Sequence, residues 1–213
     1  MKYKCVVFDF DGTLANTEAQ VFDIYNDLAK EYKFKEITKE EMSKIKGMHV
    51  KELMEFLDVK FYKIPRALRK GKKRLTEESD QIQPFKPHLM ENFVEIDSMV
   101  EVCGILTSNI KRTVLAFTKN QGICDFFDFV LSSSLFSKEK KLKKICKKYK
   151  FDPLELLYVG DETRDIIACK KAGVDVVAVD WGYNFIDTLK ECNPTYTVSS
   201  MEEIVEIVRK KNQ

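Results

Sequence analysis

The sequence predicts an α/β protein built on a doubly wound parallel sheet, with an all-helical segment inserted after the first strand. Two observations favour this fold class. Between residues 88 and 211, short apolar runs alternate with amphipathic helical patterns, as expected for parallel strands buried between two layers of helices. One strand-like run near residue 5 is separated from the other strands by residues 17–79, where only helical spacing is found.

The individual elements follow from these patterns. The first strand is predicted at residues 3–10, an apolar run that ends in Asp-Gly turn chemistry. In the inserted segment, apolar residues recur at helical spacing over 21–32 and 50–57. Pro84 and Pro87 then break the chain. Beyond them we expect helices at 88–99, 111–120, 139–149, 163–172 and 201–211, and strands at 101–106, 128–132, 155–159, 174–179 and 195–198.

The composition is that of an ordinary globular protein. The 213 residues are 44% hydrophobic and 33% charged, and the net charge of +2 gives no reason to expect a nucleic-acid partner. No secretory leader and no apolar run near 18 residues is found, so we expect a cytoplasmic protein without a membrane partner. The six cysteines are scattered without a CxxC pair, which favours free thiols, several of them buried, in a reducing compartment.

Polar residues follow three of the predicted strands. Asp9 and Asp11 come after the first strand, residues 107–109 (Thr-Ser-Asn) after the second, and Asp161 after a later one. Open α/β sheets bind ligands at the carboxyl ends of their strands, where loops and helix N-termini meet. The three strand ends therefore predict one ligand-binding crevice.

Four segments carry a family resemblance. They are DFDGT at 9–13, LTSN at 106–109, Lys138 within LFSKEKKL, and VGDETRD at 159–165. In order and spacing they resemble the motifs of the haloacid dehalogenase-like (HAD) phosphohydrolases, and VAVDWGYN at 177–184 resembles the phosphoglycolate phosphatase-like branch. The resemblance implies a Rossmann-like core of residues 1–14 and 83–213 and a small helical cap of residues 15–82.

The resemblance also implies a Mg²⁺-dependent phosphatase that forms an aspartyl-phosphate. Asp9 would be the nucleophile, and Asp11 would protonate the leaving group and then activate water. Lys138 would place a positive charge over the phosphate and the nucleophile. Mg²⁺ prefers oxygen ligands, and by resemblance these are the carboxylates of Asp9 and Asp161 and the backbone carbonyl of Asp11. Phosphate oxygens would be held by a second set of residues: Thr107, Ser108, Asn109 and Lys138.

Some of these residues have other interpretations. Residues 107–109 also suit a helix N-cap, and Lys140 and Lys141 lie beside Lys138, which is preferred because it stands just before the predicted helix. Asp165 is expected to support the site rather than to bind metal. Glu162 either holds a metal-bound water or is a carboxylate favoured by the helix dipole.

The cap gives less specific signals. Gly47 interrupts two helical patterns, so that Lys46, Met48 or His49 would approach the substrate, although a solvated helix cap also explains His49. Residues 60–75 carry eight positive charges and no acid, which favours a solvated helix face over attraction of a phosphorylated metabolite or nucleic acid. Residues 16–17 are Asn-Thr, where many relatives have Asp-Ser or Asp-Thr, and this position is assigned to the hinge.

The favoured substrate is a small phosphorylated metabolite such as phosphoglycolate or a sugar phosphate. A β-phosphoglucomutase-like mutase stays open because it uses the same core. A dehalogenase is disfavoured because it needs no acid at Asp11, and a phosphonatase would need a Schiff-base lysine, for which Lys44, Lys46 and Lys51 are candidates. A non-catalytic binding module would be expected to lack the nucleophile or a metal ligand. Monomer and homodimer both remain open.

Overall fold

The computed structural model describes residues 1–46, 48, 50–134 and 137–213. Gly47 and His49, predicted to shape the approach to the substrate, lie outside the described residues, as do Leu135 and Phe136 of the lysine segment. The strands are β1 (Cys5–Phe8), β2 (Ala15–Asn16), β3 (Gln83–Pro84), β4 (Val102–Thr107), β5 (Phe129–Ser132), β6 (Leu156–Gly160), β7 (Asp175–Val179) and β8 (Tyr196–Val198).

The α-helices between these strands are of very different lengths. They are α1 (Glu18–Tyr32), α2 (Lys39–Lys46), α3 (Val50–Phe56), α4 (Ile64–Glu77), α5 (Leu89–Asp97), α6 (Lys111–Asn120), α7 (Lys138–Tyr149), α8 (Thr163–Ala172), α9 (Ile186–Glu191) and α10 (Met201–Asn212). The five helices predicted beyond residue 87 are confirmed to within two residues at each end. Helix α9 was not predicted, because six residues are too few to show helical periodicity.

Six strands form one sheet in the order β5-β4-β1-β6-β7-β8, and every neighbouring pair is parallel. This confirms the predicted doubly wound α/β fold. The first strand is shorter than its apolar run because the carbonyl of Phe10 accepts the N–H groups of Leu14 and Ala15, at 3.0 and 2.9 Å, and so closes a turn. Strand β1 therefore ends at Phe8, the residue before Asp9.

The central strand β1 is buried on both faces. Val6 and Phe8 belong to the hydrophobic cluster on one side of the sheet, whereas Cys5 and Val7 belong to the cluster on the other side. Side chains alternate between the faces of a strand, so a strand between two helical layers needs a continuous apolar run. This is why the run at 5–8 was recognisable as a parallel strand.

The helices from α1 to α4 lie between two points that are adjacent in space. Ala15 pairs with Pro84 and Asn16 pairs with Gln83 in the antiparallel ladder of β2 and β3. Within the insertion, α1 packs along α4. The chain therefore leaves the α/β part and returns to it through one two-stranded connection, while the division into a core and a cap of residues 15–82 stays a prediction.

Two further expectations concern the cysteines and the membrane. All six cysteines are free thiols, and Cys5, Cys103, Cys146 and Cys169 are buried, whereas Cys124 is exposed and Cys192 is half-buried. Within the described parts of the chain, we find no helix with the length and apolar character that crossing a membrane requires.

Candidate active site

The carboxyl edge of the sheet brings three of the predicted segments together. Strands β4, β1 and β6 are neighbours, with Phe8 paired to Ile105 on one side and to Val159 on the other. The residues that follow these positions, Asp9, 107–109 and Asp161, therefore emerge side by side. The three segments that are predicted to share one ligand-binding crevice are therefore neighbours at this edge.

Lys138 is the lysine that reaches this crevice. It is the first residue of α7 and is 2% exposed, and its Nζ lies 2.5 Å from Asp9 Oδ2 and 2.5 Å from Asp165 Oδ1. It also donates to the hydroxyl of Tyr158 at 2.8 Å. Burial alone would lower the pKa of Lys138, but the carboxylates of Asp165 and Asp9 raise it above its ordinary value. The Lys138 ammonium is therefore charged. Lys140, on the same helix, is exposed to solvent instead of being buried in this crevice.

Three buried carboxylates form a compact acidic group. Oxygen atoms of Asp9, Asp161 and Asp165 all lie within 4.8 Å of one another. Asp165 uses one oxygen for Lys138, and its Oδ2 is buried with no hydrogen-bond partner among the described residues. Burial, with the adjacent Glu162, Asp9 and Asp165, raises the pKa of Asp161 well above its ordinary value.

This donor set fits a hard divalent cation. Carboxylate oxygens are the ligands that such ions prefer, and a cation held among these three carboxylates would offset the buried negative charge that raises the pKa of Asp161. From the sequence, Asp165 is expected to support the site rather than to bind metal. Its bond to Lys138 agrees with that role, and one of its oxygens also belongs to the acidic group.

Two glycines allow the chain to pass close to Asp161. A Cβ atom on Gly12 would lie 2.0 Å from Asp161 Oδ2, and one on Gly182 would lie 2.1 Å from Asp161 Cβ. Gly12 also has a φ of +80°, which glycine adopts without strain. The hydroxyl of Thr13 and the N–H of Tyr183 each donate to the Asp161 carboxylate at 2.8 Å. The segments 12–13 and 182–183 therefore hold the Asp161 carboxylate in one orientation.

Asp11 is held by side chains from two other segments. Its carboxylate accepts from Asn109 Nδ2 at 3.0 and 3.1 Å and from Thr17 Oγ1 at 3.0 Å. The hydroxyls of Thr17 and Tyr183 are 2.6 Å apart. Burial and the charge of Asp9 raise the pKa of Asp11 to about 6, while the bonds from Thr17 and Asn109 act in the opposite direction. The raised pKa favours a carboxyl that can carry a proton near neutral pH.

Residues 107–109 turn over the end of β4. Thr107 is fully buried, and its hydroxyl accepts the N–H of Asn109 at 2.9 Å. The Asn109 side chain is committed to Asp11, and Ser108 is half-buried with its carbonyl bound by the ammonium of Lys72. The segment lies beside Asp11 as predicted, while its contacts with phosphate stay a prediction.

Several residues of this site were not singled out from the sequence. Thr17 had been placed in the hinge, yet its hydroxyl bonds to Asp11. Tyr158 joins Lys138 to the sheet, since its hydroxyl also donates to the Leu106 carbonyl at 3.1 Å. Arg164 donates to Glu162 Oε1 at 2.6 Å, so the charge of Glu162 is paired. Tyr183 could have been found from the sequence, because it lies in the VAVDWGYN segment.

Some of the positive charges of residues 60–75 form ion pairs at the surface. Arg74 lies 2.7 Å from Asp27, and Lys70 forms an ion pair with Glu31, so α4 shares charges with α1. This arrangement agrees with the solvated helix face. Lys46 lies 3.0 Å from Glu18. The other two candidates for a Schiff-base lysine, Lys44 and Lys51, are both exposed.

Comparison with known proteins agrees with this geometry. The haloacid dehalogenase-like hydrolase profile matches residues 6–179, which include all four segments. The chain belongs to this hydrolase family. The hydrolase is 26% identical over 206 residues to a phosphoglycolate phosphatase of Synechococcus elongatus, covering 96% of this chain and 97% of that one. It is 24% identical over 212 residues to a pyrophosphatase of Oceanobacillus iheyensis, covering 98% of each.

The fold of the hydrolase is also found among solved structures. A haloacid dehalogenase-like family hydrolase from Streptococcus pneumoniae superimposes with a TM-score of 0.80 at 19% identity, covering 96% of this chain and 98% of that one. The fold is therefore shared along almost the whole chain.

Proposed function

We propose that this hydrolase is a Mg²⁺-dependent phosphatase that hydrolyses a small phosphorylated metabolite through an aspartyl-phosphate. The observation that carries the proposal is the position of Asp9, which contacts the charged Lys138 and lies in one acidic group with Asp161 and Asp165. Asp11, held in place beside it, is the acid that the same reaction needs. Relatives named phosphoglycolate phosphatase and pyrophosphatase support this reaction class.

In the first step, a carboxylate oxygen of Asp9 attacks phosphorus and the ester P–O bond breaks. Asp11 gives its proton to the departing alcohol oxygen. In the second step, Asp11 takes a proton from water as the water oxygen attacks the same phosphorus. The Asp9 carboxylate and inorganic phosphate are then released, and Asp11 is again protonated.

Positive charge must surround the transferring phosphoryl group. Lys138 supplies one charge, and residues 107–109 would add the Thr107 hydroxyl and backbone N–H groups. We assign the ion to the carboxylates of Asp9 and Asp161 and to the Asp11 carbonyl, with Asp165 beside them. When bound, Mg²⁺ offsets the repulsion between a carboxylate nucleophile and a phosphate dianion.

The proposed cap, residues 15–82, would cover the leaving group and exclude water from the crevice. Lys46 is one of the residues that tie the proposed cap to the core. The carbonyl of Lys46 accepts from the N–H of Phe185 and the side chain of Asn184, at 3.1 and 3.0 Å.

Phosphate release from a panel of phosphate monoesters, measured with Mg²⁺ and with EDTA, tests the function. We expect release from at least one monoester in Mg²⁺ and none above background in EDTA, with activity restored when Mg²⁺ is added back. The folded state in EDTA is checked by circular dichroism. A folded protein that releases phosphate from no member of the panel, or releases it equally in EDTA, would contradict the proposal.

Replacing Thr17 by Val should lower kcat about tenfold with little change in KM, because one hydrogen bond that orients Asp11 is lost. Val keeps the shape of Thr, so the packing is retained. Thr17→Ser keeps the hydroxyl and should retain most of the activity. Equal losses in Thr17→Val and Thr17→Ser would indicate a packing role and would contradict a role in positioning Asp11.

A further inference from the structure

A cavity of about 340 Å³ lies between the cap helices and the catalytic edge. Its walls are mainly aliphatic and aromatic side chains, chiefly Ile24 and Leu28 of α1, Ala67 and Leu68 of α4, and Phe34 and Val59 from the connections. The volume is within the range of about 300–1,000 Å³ that is usual for small-molecule sites.

The cavity opens directly onto the proposed acid. Asp11 and Asn109 line its catalytic end together with Ser108 and Tyr183. In the proposed mechanism, Asp11 contacts the oxygen that joins phosphorus to the leaving group. The part of the substrate beyond that oxygen therefore extends from Asp11 into the apolar space.

At this end, an anionic leaving group would meet the carboxylates of Asp11 and Glu162 as well as two cations. The cations among the described lining residues are Lys72 and Arg164. Arg164 is already paired with Glu162, and the Lys72 ammonium is bound to the Ser108 carbonyl, with burial lowering its pKa. The other described lining residues are mainly aliphatic and aromatic, and the Tyr25 hydroxyl is already bonded to the Lys35 carbonyl. A carboxylate or second phosphate among them would lose its hydration without gaining a charged partner, which is costly.

We propose that the substrate is a phosphate monoester of an apolar alcohol, whose hydrocarbon part fills the cavity between α1 and α4. This inference rests on the proposed phosphatase function. An enzyme with this substrate would not prefer phosphoglycolate or pyrophosphate, because the leaving groups of both compounds are anions.

A series of ethyl, butyl and hexyl phosphate tests the inference, with phosphoglycolate for comparison. The phosphoryl group is the same throughout, so only the leaving group changes. We expect kcat/KM to rise about fourfold for each methylene group that is buried, and to be higher for hexyl phosphate than for phosphoglycolate. A flat or falling series, or a preference for phosphoglycolate, would overturn the inference while leaving the phosphatase function intact.

Leu68→Gln places a polar group in the cavity wall. The side chain is 38% exposed, so the fold should tolerate the change. Leu115→Gln on α6 is the matched control, since Leu115 is 44% exposed and does not line the cavity. We expect the ratio of hexyl to ethyl phosphate kcat/KM to fall about tenfold in Leu68→Gln and to keep its wild-type value in Leu115→Gln. Equal ratios in the two variants would count against the cavity.

Binding of methylphosphonate and hexylphosphonate, measured by calorimetry, separates the two levels of the proposal. These probes contain a P–C bond and report occupancy without turnover. Tighter binding of hexylphosphonate with a negative heat-capacity change supports the apolar cavity even if no ester is hydrolysed, in which case the phosphatase function alone fails. Equal binding of both probes would overturn the cavity inference whatever the enzyme hydrolyses.

Discussion

Replacing Asp9 by Asn is expected to lower phosphate release at least about 10⁴-fold, because the amide cannot act as the nucleophile. The contacts of the neighbouring carboxylates explain why none of them would replace Asp9 as the nucleophile. Asp165 uses one oxygen for Lys138 and belongs to the acidic group, while Asp11, the proposed acid for the leaving group, is held by Asn109 and Thr17.

The intermediate gives a second measurement of the same prediction. Wild-type enzyme quenched in acid during turnover of a phosphorus-labelled ester should retain covalent label, and Asp9→Asn should retain none. Asp97→Asn is the control, because Asp97 is exposed at the end of α5 and should leave both readouts unchanged. Label retained in Asp9→Asn would show that another residue carries the phosphoryl group.

Replacing Lys138 by Met is expected to have the largest effect on stability. The substitution removes the cation from between Asp9 and Asp165, whose side chains are 4% and 0% exposed. Leaving buried charge without its partner typically costs about 3–5 kcal/mol of the free energy of unfolding. Urea denaturation in EDTA measures this loss, and phosphate release should fall as well because the charge that is proposed to face the phosphate is removed.

Two comparisons make the Lys138 result specific. Lys140→Met changes an exposed lysine on the same helix, and its free energy of unfolding should stay within about 0.5 kcal/mol of wild type. Added Mg²⁺ should recover part of the stability of Lys138→Met, because a cation bound only to the folded protein stabilises it. A Lys138→Met protein as stable as wild type in EDTA would contradict a structural ion pair with both carboxylates.

The proposed substrate class changes how the cap is understood. From the sequence, the basic run at 60–75 of the proposed cap is expected to form a solvated helix face. In the structure, charges of α4 are paired with α1, and the face of α4 that lines the cavity is formed by residues such as Ala67 and Leu68. A helix can carry a charged face and an apolar face at once, and here the apolar face is the one beside the site.

The sequence by itself determined the α/β class, most strand and helix positions, and the grouping of the polar residues after β1, β4 and β6. These features were readable because a buried parallel strand needs an apolar run and because ligand groups follow the carboxyl ends of strands. Lys138 was also distinguished from Lys140 by its place at the start of α7. Each inference depends on residues that are close in the chain.

Tertiary structure alone decided which distant groups meet. Thr17 and Asn109 converge on Asp11 from separate segments, and Gly182 approaches Asp161 so closely that a Cβ would collide with it. The apolar cavity likewise exists only where α1 and α4 pack beside the core. Such contacts depend on the relative placement of elements far apart in the chain, which hydrophobic periodicity and turn chemistry do not encode.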